Sequence, residues 1–305
     1  MSRYKDYGAF LKEHFQTKVQ KISINAGLTC PNRDGRKGKG GCTYCNNQTF
    51  SPEYCLTGKS VGEQMQEGIE FFSRKYPAMQ YLAYFQSYTN TYGDEKRLFS
   101  LYEEALHHPS VVGLIIGTRP DCMSENLLDY FANLSQNRFV MIEYGVESSL
   151  NRTLVRINRG HTFDESKDAI LRTANRSLLV GAHLILGLPG ETREEILSHA
   201  DAISRLPLAT VKLHQLQIIR HTKMAQEYAD APEQFYIPGV DEYIDLAIDF
   251  IERLPPSIAV ERFISQSPSN LLIAPCWGMK NHVITAKIEK RMEERGAKQG
   301  RLCHI

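Results

Sequence analysis

Short apolar runs alternate along most of the chain with stretches in which apolar residues recur every three or four positions. The runs Lys21–Asn25, Gln80–Gln86, Val112–Gly117, Val140–Gly145, Leu179–Leu186 and Val211–Ile218 are short and almost continuously apolar, which predicts strands covered on both faces. Between them, segments near 60–75, 95–107, 124–135, 149–157, 163–175 and 192–205 carry the helical period. Ser60 with Glu63, Thr162 with Glu165 and Thr192 with Glu195 have capping-box spacing, so each pair can satisfy backbone N–H groups that a first helical turn leaves open. Six β/α repeats predict an α/β fold with a parallel sheet wrapped by helices, and six units rather than eight predict an open, partial barrel. Chemistry in such a sheet belongs at the C-terminal ends of the strands. Beyond about residue 220 the pattern changes to a Pro-interrupted loop, a helix near 240–253, a strand at Ile258–Phe263 and a basic helix near 280–296. The expected organisation is a core over 1–220 and a C-terminal extension over 221–305, partly packed on it.

Composition narrows the class. The 305 residues are 42% hydrophobic and 23% charged, as in ordinary globular proteins. The richest apolar run, LLVGAHLILGL, is shorter than a membrane span requires, and the opening MSRYKDYGAFLKEHF lacks the apolar centre of a secretory signal. A cytoplasmic protein with no membrane partner is expected. Seven cysteines, an odd number, do not suit a disulfide framework in a reducing compartment, so clustered thiols point to a metal or an iron–sulfur cluster. A net charge of +1 neither favours nor opposes nucleic acid. The charge is uneven, though: from Cys276 to Ile305 there are seven Lys/Arg against three Glu.

The first expected strand runs into Gly27-Leu28-Thr29-Cys30-Pro31-Asn32-Arg33-Asp34-Gly35, followed by a Gly- and Lys-rich stretch and then Gly41-Cys42-Thr43-Tyr44-Cys45. Cys42 and Cys45 lie three apart, close enough for one tight turn to aim both thiolates at one centre. Arg33, Arg36, Lys37 and Lys39 in the intervening stretch favour thiolates over thiols. Three ligands suit a [4Fe–4S] cluster with one iron left open, whereas a structural zinc ion wants four and would have to recruit Cys55. Spacing alone leaves both readings standing. Cys122, Cys276 and Cys303 have no partner at ligand spacing and read as ordinary thiols.

Taken with CPNRDG and GGCTYC, the motifs YLAYFQSYTNTY, VGLIIGTRPDC, EYGVESSLNRTLVRINRGH, HLILGLPGE and VKLHQL resemble the radical S-adenosylmethionine (radical SAM) superfamily. The similarity is greatest to its YhcC/YtqA subgroup, related to the catalytic subunit of the Elongator complex. That resemblance implies a partial (β/α)6 TIM-like barrel with a C-terminal extension, a [4Fe–4S] cluster on Cys30, Cys42 and Cys45, and S-adenosylmethionine (SAM) bound at the open iron. Eleven residues separate Cys30 from Cys42 where the superfamily usually has three, a long insertion also typical of the subgroup. The resemblance further places Tyr44 beside adenine and puts Gln86, Ser87, Tyr88 and Thr89 where a Gly-rich motif receives the methionine amino group, although the glycines are missing here. It assigns Glu147 to the ribose or methionine end of SAM, Arg159 to the SAM carboxylate, His183 to the ribose, and Gly187 and Leu188 to the adenine. Plainer readings stand beside these: Glu147 and Arg159 as a surface pair, His183 as a core histidine, Gly187 to Gly190 as a turn, and Arg119 with Asp121 as a structural closure of the third strand.

The implied chemistry is reductive cleavage of SAM to a 5′-deoxyadenosyl radical that abstracts hydrogen from a substrate, with an external flavodoxin- or ferredoxin-like electron donor. By the same resemblance the substrate is a tRNA wobble uridine with a xnm5-type side chain, converted from carboxymethylaminomethyl- toward aminomethyl-uridine. A small metabolite or a protein side chain is the alternative substrate, and a zinc-stabilised binding module without catalysis the alternative class. Two basic stretches, Arg33–Lys39 and Lys280–Arg301, are expected to lie along phosphates if they flank the mouth of the barrel.

Overall fold

The apolar runs assemble into one parallel sheet because each is followed by an amphipathic helix that returns the chain to the sheet's starting edge. The computed structural model describes residues 2–49, 52–55, 58–74 and 79–304, so residue 50, the end of a cluster loop expected over 26–50, and residue 75, the end of the helix expected over 60–75, lie outside the described residues. A short helix, α1 (Tyr7–His14), precedes β1 (Val19–Ile24). The repeat then runs α2 (Val61–Ser73), β2 (Gln80–Phe85), α3 (Glu95–Leu106), β3 (Val111–Thr118), α4 (Glu125–Ser135) and β4 (Phe139–Glu147). It continues through α5 (Asn151–Arg156), α6 (Phe163–Ala174), β5 (Leu179–Leu186), α7 (Arg193–Ser204) and β6 (Thr210–Gln215). All three expected capping boxes form, at the starts of α2, α6 and α7.

After β6 the chain builds β7 (Ile218–Ile219), α8 (Lys223–Asp230), α9 (Val240–Ile251), β8 (Ala259–Arg262), β9 (Leu272–Ala274) and α10 (Asn281–Glu294). The sheet has seven parallel strands in the order β1-β2-β3-β4-β5-β6-β8, so the segment beyond residue 220 supplies the last of them. Lys21 on β1 and Glu261 on β8 meet at 2.8 Å, which shows how far the open sheet has curled toward a barrel. The fold is a partial TIM-like barrel.

Two expectations are corrected. The strand expected over Val211–Ile218 ends at Gln215, and Ile218 and Ile219 leave the sheet to pair antiparallel with β9. Gln215 explains the break: its side chain accepts from Ser265 N at 2.8 Å and donates to Ser265 O at 2.9 Å, so the segment after β8 replaces a continuing strand as its partner. Secondly, the arginines of the C-terminal basic stretch do not belong to a free cationic face, whereas Lys280, Lys287, Lys290 and Lys298 stay exposed. Arg291 bonds Asp245 at 2.8 and 3.0 Å, Arg295 bonds Asp245 and Asp249, and Arg301 bonds Glu252. These acids recur every three or four residues along α9, one helical stripe facing another. Gln299, just beyond α10, bonds Pro255 and Ile258 where β8 begins, so this end of the helix pair lies at the closed end of the barrel, away from its mouth.

Helix α1, absent from the sequence reading, closes that end. Its Phe10 packs against Leu82, Tyr84, Ile115, Met141 and Ala259, the inward residues of four strands. Asp6 caps the helix through Ala9 N at 2.7 Å, and Val260 N donates to Lys5 O at 2.8 Å, which ties the plug to the β8 edge. Burying one such phenyl ring contributes roughly 1.5–3 kcal/mol. The lumen is therefore shut below by an apolar plug and open above.

Candidate active site

The loop after β1 is folded by its own backbone. Arg33 N and Asp34 N both donate to Cys30 O, Lys37 N donates to Pro31 O at 2.8 Å, and Asp34 pairs with Lys39 as a bridge. The long insertion is thus a small hairpin, and Cys45 N donating to Cys42 O at 3.0 Å makes the tight turn between the last two cysteines. Asn32 bonds Asn158 O, and Asn158 returns a bond to Gly41 O at 2.8 Å, which fastens the loop to the segment after α5. Met224 N on α8 donates to Thr43 O at 2.8 Å, and Lys37 reaches Asp121 at 2.6 Å. Arg119 is buried and grips Asp121 with two bonds of 2.9 Å while donating to Arg159 O. Burial would push the Asp121 carboxyl up, but its bonds and charge contacts with Arg119, aided by Lys37, outweigh it and hold the pKa at about 2. Arg119 and Asp121 thus join three segments of the rim.

This rim and the strand ends enclose a cavity of about 180 Å³. Cys30, Cys42 and Cys45 line it together with Tyr44, Gln86, Tyr88, Thr89, Glu147, Arg159 and His183. Ser87, Gly187 and Leu188 are not among its lining residues. Ser87 is buried, Gly187 faces Tyr236 and Leu216, and Leu188 belongs to a separate apolar cluster with Ile157, Ile218 and Met224 against which Tyr44 packs. Glu147 and Arg159 are not a surface pair, because both are buried. The guanidinium lies 3.5 Å from Glu147, donates to Gly145 O at 2.7 Å and points another nitrogen at Cys42 Sγ. Among the described residues its Nε has no partner, and neither does Thr89 Oγ1. Gly145 leaves room for this pair, since a Cβ there would displace the Arg159 guanidinium and sit 2.7 Å from Glu147 Oε1. Tyr88 and Glu147 hold left-handed backbones at φ 64° and 67°, a strain of roughly 1–3 kcal/mol each that the surrounding contacts must offset.

Under the cavity lies a buried ionic network. Glu143 on β4 takes Lys21 at 3.0 Å, Lys212 on β6 at 2.7 Å and His183 Nε2 at 2.8 Å, while Glu261 takes the same two lysines at 2.8 and 3.0 Å. Burial opposes ionisation of Glu143, yet Lys21, Lys212 and His183 outweigh it and hold the carboxyl well below its ordinary range. Burial, reinforced by Lys212, keeps His183 neutral, so its Nε2–H donates to Glu143. The register between β6 and β8 jumps from Val211↔Val260 to Lys212↔Arg262. Through this bulge the consecutive residues Glu261 and Arg262 both reach the lumen.

Cys55 is placed elsewhere. Its thiol donates to Ser23 O at 2.9 Å, and it does not line the cavity. Among the described residues, no three His, Cys, Asp or Glu side chains gather closely enough to hold a single ion.

Residues 29–203 match the family model of the Radical SAM superfamily, and residues 208–294 match the Radical_SAM C-terminal domain. The chain belongs to the radical SAM superfamily. Two curated relatives place it in the YhcC/YtqA branch. "Uncharacterized protein YtqA" of Bacillus subtilis is 32% identical over 98% of this chain and 92% of its own length. "Protein YhcC" of Escherichia coli K12 is 33% identical over 95% and 92%. A solved structure, the archaeal Methanocaldococcus infernus Elp3 with an N-terminal deletion, superposes with a TM-score of 0.70 at 18% identity over 93% of this chain, which spans 64% of that one. A tRNA uridine(34) acetyltransferase of the same archaeon is 25% identical over 61% of this chain and 34% of its own length.

The sequence reading singled out residues that the fold brings around one cavity, and of the network beneath it named only His183. Lys21, Glu143, Lys212, Glu261 and Arg262 are charges set within strands of the sheet, and a charge inside a strand covered on both faces is a signal of a paired or functional group.

Proposed function

We propose that this radical SAM enzyme holds a [4Fe–4S] cluster on Cys30, Cys42 and Cys45, binds SAM in the adjoining cavity, and acts on a wobble uridine of tRNA. The observation that carries the first part is that three thiols and the Arg159–Glu147 pair, from segments far apart in sequence, line one cavity at the strand ends. The donor set fits the group. The sulfurs border a cavity instead of closing on one ion, Cys55 is engaged elsewhere, and Arg159 and Thr89 keep buried polar atoms without partners. Burial and the neighbouring Cys42 push the Cys45 thiol up to about 12, a cost that a bound metal cation removes by holding the thiolate. When bound, cluster and SAM supply one-electron cleavage of the sulfonium and a 5′-deoxyadenosyl radical for hydrogen abstraction.

The chain's own residues orient and shield. Arg159 offers a carboxylate a planar, charge-assisted partner, with Glu147 and Gly145 O fixing its plane. His183 is held by Glu143 with its ring toward the cavity. The α1 plug and the inward apolar side chains keep water from entering below.

The tRNA part is supported by the YhcC/YtqA resemblance, the partial likeness to a tRNA uridine(34) acetyltransferase, and the exposed Arg33, Arg36 and Lys39 beside the cluster loop. Anaerobic reconstitution with iron and sulfide tests the first part. Wild type and Cys55→Ala should show cluster absorption, and Cys30→Ala, Cys42→Ala and Cys45→Ala should lose it; zinc without iron would overturn the reading. Mass spectrometry of tRNA nucleosides from cells with and without the gene tests the second. Carboxymethylaminomethyl-uridine should accumulate in its absence, and unchanged nucleosides would direct the search to a small metabolite or protein side chain.

A further inference from the structure

The residues read for cluster and SAM come from the β1 loop, the ends of β2, β4 and β5, and Arg159. The opposite part of the cavity lining comes from β6, β8 and the segments just after those strands: His214, Gln215, Gln217, Arg262 and Ser265. On this wall the charges do not balance. Glu143 and Glu261 are both occupied by Lys21 and Lys212, two carboxylates against two ammonium groups. Arg262 is a third cation, and among the described residues no carboxylate lies within ion-pair distance of it. Its Nη2 meets only the His214 ring, at 3.0 and 3.2 Å, and its Nε is buried without a partner. Nη2 is nearly equidistant from the two ring nitrogens and so lies over the face of the ring; burial, reinforced by Arg262, holds His214 neutral, and the imidazole positions the guanidinium without cancelling its charge.

A partly desolvated cation with an open N–H edge is unfavourable unless an anion completes it. The free edge of a guanidinium presents two parallel donors, which match the two oxygens of a carboxylate; one free cation would leave a phosphate dianion half neutralised. We propose that Arg262, positioned by His214, receives a carboxylate carried by the substrate next to its reacting carbon. This deepens the tRNA reading, on which it rests only for the carrier of that carboxylate, the side chain of carboxymethylaminomethyl-uridine.

Anticodon stem-loops bearing that nucleoside or its methyl ester, titrated into reconstituted protein with SAM, provide the test. Wild type should prefer the acid to the ester by roughly 10- to 150-fold, the value of a charge-assisted pair. Arg262→Gln should lose the preference, with cluster absorption retained as the folding control. A preference that persists in Arg262→Gln overturns the proposal and leaves the tRNA reading standing. A second arm does not depend on tRNA: N-acetylglycine, but not N-acetylglycinamide, should raise the melting temperature of wild type and not of Arg262→Gln. If neither stem-loop binds while this arm succeeds, the carboxylate site stands and the tRNA reading falls; if N-acetylglycine acts equally on both proteins or on neither, the proposal is overturned.

Discussion

The lower and upper halves of the same lumen obey different rules. Below, Phe10 and its neighbours fill the barrel, and the carboxylates of Glu143 and Glu261 are matched by Lys21 and Lys212. Above, Arg159 Nε, Thr89 Oγ1 and Arg262 Nε are left open, and Tyr88 and Glu147 hold left-handed backbones. A buried polar group that is fully answered within the chain contributes to the fold. One left unanswered in a cavity costs stability and is retained where a ligand completes it. Under the proposed function, the difference separates structural from ligand-binding charge within a few layers of one barrel.

The sharpest way to break this comparison is to unbalance the lower half. Glu143→Gln strips two lysines of a shared partner, and breaking a buried pair from one side typically costs about 3–5 kcal/mol. Chemical denaturation of the cofactor-free protein should show that loss; a change under about 1 kcal/mol would mean that the network is solvated and not structural.

Truncation in the upper half should act on ligand and not on fold. Arg159→Ala should leave the cluster's absorption in place and weaken SAM binding by roughly 10- to 150-fold, read by equilibrium dialysis. Equal SAM affinity in the variant would take Arg159 out of the site.

The rim of the upper half is sensitive to acid. Asp121 has a folded pKa of about 2 against an ordinary value of 3.8, so its contribution is present above the ordinary value and is lost as pH falls toward 2. That window holds about 2 kcal/mol. Asp121→Asn should flatten the stability curve between pH 4 and 2 relative to wild type, as measured by urea unfolding. His161, held at about 3 chiefly by burial, acts with the same sign at higher pH, where stability falls as pH drops from 6.5.

The smallest effect concerns surface charge. Arg36→Gln with Lys39→Gln should lower the salt slope of tRNA binding by about 0.7–0.9 for each phosphate that is no longer neutralised. Lys287→Gln with Lys290→Gln should change it little, because α10 runs away from the mouth. Arg291 belongs with α9 and Asp245, and its replacement should register as lost stability.

The sequence by itself determined the repeat, the three capping boxes and the cysteine loop, because each depends on residues a few positions apart. Helical period, strand hydrophobicity and Cys-x-x-Cys spacing are local, and they were legible for that reason. Tertiary structure decided what depends on facing across the barrel. Lys21 and Glu261, 240 positions apart, meet only because the sheet curls. Glu261 and Arg262 share a side only because of the β6–β8 bulge, which no alternation along the strand announces. Helix α1 became a plug, and Arg291 of α10 turned onto Asp245 of α9, by the same logic. A short polar or charged segment takes its role from the surface it meets, and that surface exists only once the chain has folded.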